Sequence, residues 1–150
     1  MSSLPVFRAM CSSDLKEVLQ IENEVYSHPW TSGHFLDCFK SGYSSRIALQ
    51  DGRLAGYSVM MDVLDESHLL NLAVSLTMQG QGVGRMLLDY AVQEARSTGK
   101  RLMLLEVRVS NLKAIRLYER AGFYRIHVRR NYYPMMVSGR ENALVMGLDL

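Results

Sequence analysis

From His68 to Val107 the chain reads HLLNLAVSLTMQGQGVGRMLLDYAVQEARSTGKRLMLLEV. His68 to Val74 is an apolar run of strand length, and Arg101 to Val107 is a second one. Between them, Gly82 to Ser97 sets Val83, Met86, Leu87, Tyr90, Ala91 and Ala95 on one helical face, with Gly99 as the C-cap. Strand, helix and strand in that order form a βαβ unit, so the two strands run parallel and the crossover is right-handed.

Outward from this unit the pattern turns antiparallel. Ser45 to Gln50 and Arg53 to Val63 flank Asp51-Gly52, a strong hairpin signal, and a turn at Asp65-Glu66-Ser67 leads into His68. Leu4 to Met10 reads as a first strand. Ser12 and Ser13 cap a helix from Asp14 to about Tyr26, striped by Leu15, Val18, Leu19 and Val25. Ser27-His28-Pro29-Trp30 breaks it, and Thr31 caps a short helix from His34 to about Lys40, ending near Gly42. On the other side, Asn111 to Ala121 carries helical spacing at Ala114, Leu117, Tyr118 and Ala121, closed by Gly122. Strands at Tyr124 to Arg130 and Ala143 to Asp149 follow, separated by a loop over Asn131 to Asn142. The expected order is β-α-α-β-β-β-α-β-α-β-β. This is one domain over residues 1–150, an α/β (α+β) three-layer fold whose mixed, mostly antiparallel sheet holds one parallel crossover.

Composition agrees with a globular chain of this size. Of 150 residues, 48% are hydrophobic and 21% charged, which excludes disordered and collagen-like classes. A net charge of +2 is too balanced for a general nucleic-acid or membrane binder. Cys11 and Cys38 suit neither a disulfide framework nor a CxxC metal site, and they fit a reducing compartment. No apolar run reaches the roughly 18 residues of a membrane span, and the N-terminus lacks the basic-then-apolar order of a secretory signal. His28, His34, His68 and His127 show no metal-ligand spacing, so no metal is expected. A cytoplasmic location follows.

Gln79-Gly80-Gln81-Gly82-Val83-Gly84-Arg85 lies between a strand and a helix start. Unpaired N–H groups and the helix dipole suit an anion there, and glycines let a phosphate reach the amides. The spacing is not the G-x-G-x-x-G of a dinucleotide fold, and Gly84-Arg85-Met86 is not the Gly-Lys-Ser/Thr of a nucleotide loop. The competing reading is a turn that serves tight packing alone.

Glu106 interrupts the apolar run Leu102 to Val107, a strand expected to be buried on both faces. An unpaired buried carboxylate is costly or has its pKa raised, as suits a general base. The alternative places it at the strand's end, partly solvated or paired with Arg108 or another arginine. Tyr118 shares the helical stripe of Ala114 and Ala121, and by spacing alone is a core aromatic.

Gln79-x-x-Gly82-x-Gly84 resembles the Q/R-x-x-G-x-G/A loop of the GNAT acetyltransferases, and the strand order matches that fold. Further stretches resemble the RimI-type branch, which acetylates the N-terminus of a small-subunit ribosomal protein. They are His28-Pro29-Trp30, Asn71 to Val74, Leu105-Glu106-Val107-Arg108, Ser110-Asn111, Ala114-Ile115, Leu117-Tyr118-Glu119, Gly122-Phe123, Arg129 to Pro134 and Gly139-Arg140-Glu141. The likeness runs from about residue 14 to the C-terminus; the loop is superfamily-wide, whereas Leu-Glu-Val-Arg and Arg-Asn-Tyr-Tyr-Pro are narrower.

This resemblance implies acetyl-CoA as co-substrate. Its pyrophosphate would be held by Gln79, Gly80, Gln81, Gly82, Val83, Gly84 and Arg85, and its pantetheine arm by the backbone of Leu72, Ala73 and Val74, with Asn111 also in contact. It implies Glu106 as proton acceptor and Tyr118 as proton donor. Trp30, Tyr132 and Tyr133 would flank the peptide slot. The implied acceptor is the N-terminal alanine of small-subunit ribosomal protein eighteen, with no direct nucleic-acid or membrane contact, by a monomer or weak oligomer. Both cysteines lie outside the matched motifs, so transfer is expected to be direct, in a ternary complex. Two other readings share the loop: a GNAT enzyme acting on lysine side chains or small-molecule amines, and a non-catalytic acyl-CoA-binding regulatory domain.

Overall fold

The computed structural model describes residues 4–134 and 140–150. Met135, Met136 and Gly139, part of the late loop and of one matched motif, lie outside the described residues. The elements in chain order are β1 (Val6–Ala9), a single 3-10 turn (Ser12–Asp14), α1 (Leu15–Val25), α2 (Ser32–Lys40), β2 (Ser44–Gln50), β3 (Arg53–Val63) and β4 (Glu66–Val74). After a second 3-10 turn (Leu76–Met78) come α3 (Val83–Ser97), β5 (Leu102–Arg108), α4 (Leu112–Arg120), β6 (Tyr124–Pro134) and β7 (Arg140–Asp149). The seven strands form one sheet in the order β1-β2-β3-β4-β5-β7-β6, and β4 and β5 are its parallel pair.

Local chemistry explains most boundaries. Asp51 (φ 53°) and Gly52 (φ 76°) both take the left-handed conformation that a two-residue hairpin needs, and Gln50 pairs with Arg53 across it. The next hairpin turns at Leu64 and Asp65, one residue earlier than the sequence suggests, so β4 begins at Glu66. Thr31 caps α2 as expected, its hydroxyl accepting from His34 N at 3.2 Å. Ser12 and Ser13 do not cap α1. Instead Asp14 Oδ2 accepts from Cys11 N at 2.9 Å, and Arg8 clamps both Asp14 oxygens at 2.8 Å.

Neighbouring residues of β2 reveal the layers. Ile47 packs with Val18, Ile21 and Phe35 of α1 and α2, while Ala48 packs with Val83 and Leu87 of α3. Successive strand residues point to opposite faces, so the sheet is sandwiched. Helices α3 and α4 share a cluster with Met103, Leu105 and Val107 of β5.

Two expectations need correction. Along β5 burial alternates: Met103, Leu105 and Val107 are buried, whereas Leu102, Leu104, Glu106 and Arg108 are only partly so. The cluster beneath α1 and α2 reaches β2, β3 and β4 but includes no β5 residue, so one face of β5 lacks a helical cover. The loop placed at Asn131 to Asn142 is also strand where described, since β6 continues to Pro134 and β7 starts at Arg140. Tyr133 pairs with Glu141 and Pro134 with Arg140, after a register break where Asn131 takes φ 53°.

Candidate active site

β4 and β5 pair only from Glu66 with Leu102 to Leu69 with Leu105. Beyond that point β4 runs on to Val74 and β5 to Arg108, and the two strands part. In the gap, Leu72 O accepts from Tyr26 Oη at 2.6 Å and Val74 O from Gln79 Nε2 at 3.1 Å. In an antiparallel strand a residue's N–H points the same way as its carbonyl, so the Leu72 and Val74 amides face the gap. An extended amide-bearing chain finds donors there, as an added strand would.

The glycine loop closes one end of this gap. Gly80 and Gly82 have φ of 78° and 85°, and Gly82 is the N-cap of α3, which begins at Val83, one residue after the expected start. Met86 N bonds Gly82 O at 3.1 Å, so the amides of Val83, Gly84 and Arg85 precede any intrahelical partner. Gly84 bears on the two readings of the loop. Its φ is not positive, and a Cβ there would meet Val74 Cγ2 at 3.5 Å and Leu117 Cδ2 at 3.6 Å, ordinary contacts. Neither strain nor crowding demands glycine, and a glycine here leaves the amides uncovered. The cradle fits a diphosphate through backbone donors, because the Val83 side chain is buried in the core. Among the side chains assigned to it, Gln79 is already held at both ends, by Val74 O and by Lys113 Nζ at 2.8 Å. Asn111 is the N-cap of α4, with Oδ1 accepting from Ala114 N at 3.2 Å.

Beyond the parting point on β5 stands Glu106, and it is not unpaired. Arg129 of β6 donates Nη1 to Glu106 Oε1, and the same guanidinium lies over the Tyr132 ring, 4.1 Å from its centroid. Arg108 lies 4.5 Å over the Tyr133 ring and donates to Pro134 O at 2.8 Å. Tyr132 and Tyr133 meet edge to face with centroids 4.9 Å apart. Interaction with Glu106 holds the Tyr132 phenol above its ordinary pKa. Burial, then the charges of Glu106 and Tyr132, push Tyr133 up to about 12, partly opposed by Arg108 and Arg129.

Tyr118 is buried against Phe123 (centroids 5.8 Å apart) and makes no hydrogen bond to a described residue. Burial first, and then Tyr133, raise its pKa well above that of a free phenol, so it holds its proton at neutral pH. Tyr26 is raised likewise by burial, with Tyr118, Glu22 and Tyr133 adding smaller effects. Arg129 thus links Glu106 to Tyr132, and Tyr132 in turn meets Tyr133. Trp30 does not make direct contact with this group. Its ring stacks on His34 (4.0 Å) and edges Phe35 (5.2 Å), and its backbone N–H donates to Glu22 Oε2 at 2.9 Å.

Sequence reasoning missed Glu22 and Tyr26; for Glu106 the alternative of a partly solvated carboxylate paired with an arginine holds, and the arginine is Arg129. Glu22 is 1% exposed, and its Oε1 also accepts from Tyr57 Oη (2.6 Å) and Asn71 Nδ2 (2.9 Å). The available signal was a carboxylate four residues after Val18, on the apolar stripe of α1. Among the described residues no group of His, Cys, Asp and Glu gathers as for a metal, and no helix is long and apolar enough to cross a membrane.

Comparison with known proteins places this geometry. Residues 15–123 match the acetyltransferase (GNAT) family. The [ribosomal protein bS18]-alanine N-acetyltransferase of Escherichia coli (strain K12) is 38% identical over 139 residues, covering 93% of each chain. The crystal structure of the Escherichia coli ribosomal-protein-S18-alanine N-acetyltransferase superposes with a TM-score of 0.89 at 36% identity, over 99% of this chain and 94% of that one. Ard1 from Thermoplasma volcanium gives 0.87 at 25% identity, covering 99% of both. With an open amide cradle beside a parted strand pair, and matches of this extent, the chain belongs to the acetyltransferase (GNAT) family and uses acetyl-CoA as its acetyl donor.

Proposed function

We propose that this enzyme acetylates the N-terminal alanine amine of ribosomal protein bS18, by direct attack within a ternary complex. The likeness of 38% over nearly the whole of both chains to the Escherichia coli enzyme of that name supports the acceptor. Two features support the chemistry: Glu106 stands on β5 beyond its pairing with β4, and burial keeps the Tyr118 phenol protonated. On this reading the enzyme works in the cytoplasm as a monomer or weak oligomer.

An N-terminal ammonium has a pKa of about 8, so near neutrality most of it carries a proton that blocks attack. Bound acetyl-CoA supplies a thioester carbonyl as electrophile. Glu106 accepts the ammonium proton, directly or through one water. The Leu72 and Val74 amides orient the bound arm, and Tyr118, neutral at working pH, donates a proton to the departing thiolate. Tyr132 and Tyr133 line the acceptor's approach. Trp30, anchored by Glu22, forms part of the opposite wall.

The test is thiol release over a panel of peptides with the bS18 N-terminus, lysine peptides and polyamines. Turnover on the N-terminal peptide is expected, and Glu106→Gln should lower kcat by about 100-fold or more while calorimetry finds CoA still bound. Turnover confined to lysine peptides or polyamines overturns the acceptor assignment. An unchanged kcat in Glu106→Gln overturns the base.

A further inference from the structure

The glycine loop contains one basic side chain, Arg85, and in this structure it pairs with an acidic neighbour on its own helix. Arg85 Nε donates to Asp89 Oδ1 at 3.0 Å, one turn along α3, with both groups largely in solvent. A diphosphate brings about two negative charges to the cradle, and a helix N-terminus offers only about half a positive charge. A cation without an acidic partner among the described residues reaches the loop from a different element. Lys113, in the first turn of α4, reaches across and donates Nζ to Gln79 Oε1 at 2.8 Å, while Gln79 Nε2 is itself tied to Val74 O at 3.1 Å. Asn111 caps that same turn through Ala114 N, so the backbone carrying Lys113 is fixed. Lys113 makes no ion pair among the described residues, and its ammonium keeps two of three N–H donors unused.

We infer that Lys113, rather than Arg85, is the cation that neutralises the diphosphate of acetyl-CoA, with Gln79 as the bridge that holds it at the loop. This rests on the acetyl-CoA reading of the cradle. It also means that cofactor binding ties the glycine loop to α4, the helix that carries Tyr118.

The experiment is calorimetric titration of CoA and of dephospho-CoA, which lacks the 3′-phosphate, into the wild type and into Lys113→Met, Lys113→Arg and Arg85→Met, at low and at high salt. Lys113→Met should weaken both ligands by about tenfold at low salt, a loss that shrinks as salt screens the pair. Lys113→Arg should stay within about threefold of wild type, and Arg85→Met should lose clearly less than Lys113→Met. Wild-type affinity in Lys113→Met overturns the inference. A loss seen with CoA but absent with dephospho-CoA also overturns it, because the cation then serves the 3′-phosphate. Failure of the wild type to bind CoA sinks the cradle reading itself, and the inference with it.

Discussion

Replacing Glu22 by Gln removes one charge and changes no volume, yet it should unsettle both the core and the substrate slot. The carboxylate is 1% exposed and satisfies three donors: Tyr57 Oη and Asn71 Nδ2 on Oε1, and Trp30 N on Oε2. A glutamine offers one carbonyl oxygen and one NH2. If the oxygen keeps Tyr57 and Asn71, the NH2 faces the Trp30 N–H and one charge-assisted bond, about 1.5–3 kcal/mol, is lost. The other two weaken as the acceptor becomes neutral, by roughly 0.5–1 kcal/mol each. Relief from burying a charge offsets part of this, so a net destabilisation of about 2–3 kcal/mol is expected. For 150 residues that lowers the Tm by roughly 5–10 °C. Thermal and urea unfolding followed by circular dichroism reads it directly. Tyr57→Phe closes a double-mutant cycle, in which coupling of at least about 0.5 kcal/mol is expected between residues sharing one bond. At temperatures where the variant stays folded, KM for the N-terminal peptide should rise more than kcat falls, because Glu22 anchors the backbone of Trp30. A variant as stable as wild type, with additive behaviour in the cycle, refutes the claim that these three bonds hold α1 and its following loop to the sheet.

Other perturbations probe separate elements. Gly56→Ala places a Cβ 2.5 Å from Ala73 O and 3.3 Å from Val74 Cα, contacts with backbone that cannot swing aside; a loss of about 3 kcal/mol is expected, with weaker CoA binding by calorimetry because the displaced residues line the gap. Hydrogen bonding from Arg8 holds the Asp14 carboxyl down at about 2. A depressed carboxyl contributes stability that is complete above the unfolded value near 4 and vanishes as pH falls through about 2, so Arg8→Ala should flatten acid unfolding between those limits and leave its slope above pH 5 alone. Cys11 is exposed and Cys38 buried, neither in contact with the Glu106 group; the double Cys11→Ala, Cys38→Ala enzyme should turn over within a few-fold of wild type, and abolished activity would point to an acetylated thiol.

What local chemistry dictates is legible in the sequence. The 3.6-residue spacing of α3, the Asp51-Gly52 turn and the glycines at positive φ each depend on a few adjacent residues. The βαβ order then enforces a parallel pair with a right-handed crossover. The two strands flanking the late loop were read short, because tyrosines and a proline next to a left-handed Asn131 look like loop residues. The cross-strand partners that make them strand come from β7.

The site divides along the same line. The loop Gln79 to Arg85 announced its amides through its own residues, since bare peptide nitrogens at a helix start need only glycine and a turn. Glu106 was conspicuous as a carboxylate in an apolar run, but its environment was misjudged: sequence cannot say that α1 and α2 stop short of β5. Nor can it say that Arg129, 23 residues onward, closes on Glu106. The parting of β4 from β5, the Tyr26 bond to Leu72 O and the reach of Lys113 to Gln79 likewise join residues from different elements. Such pairings depend on how twisted strands diverge and where helices end in space. Sequence alone determined the elements, their order and the anion cradle, whereas the tertiary packing decided which charges meet, because a Coulomb or hydrogen-bond partner is chosen by distance through space and not along the chain.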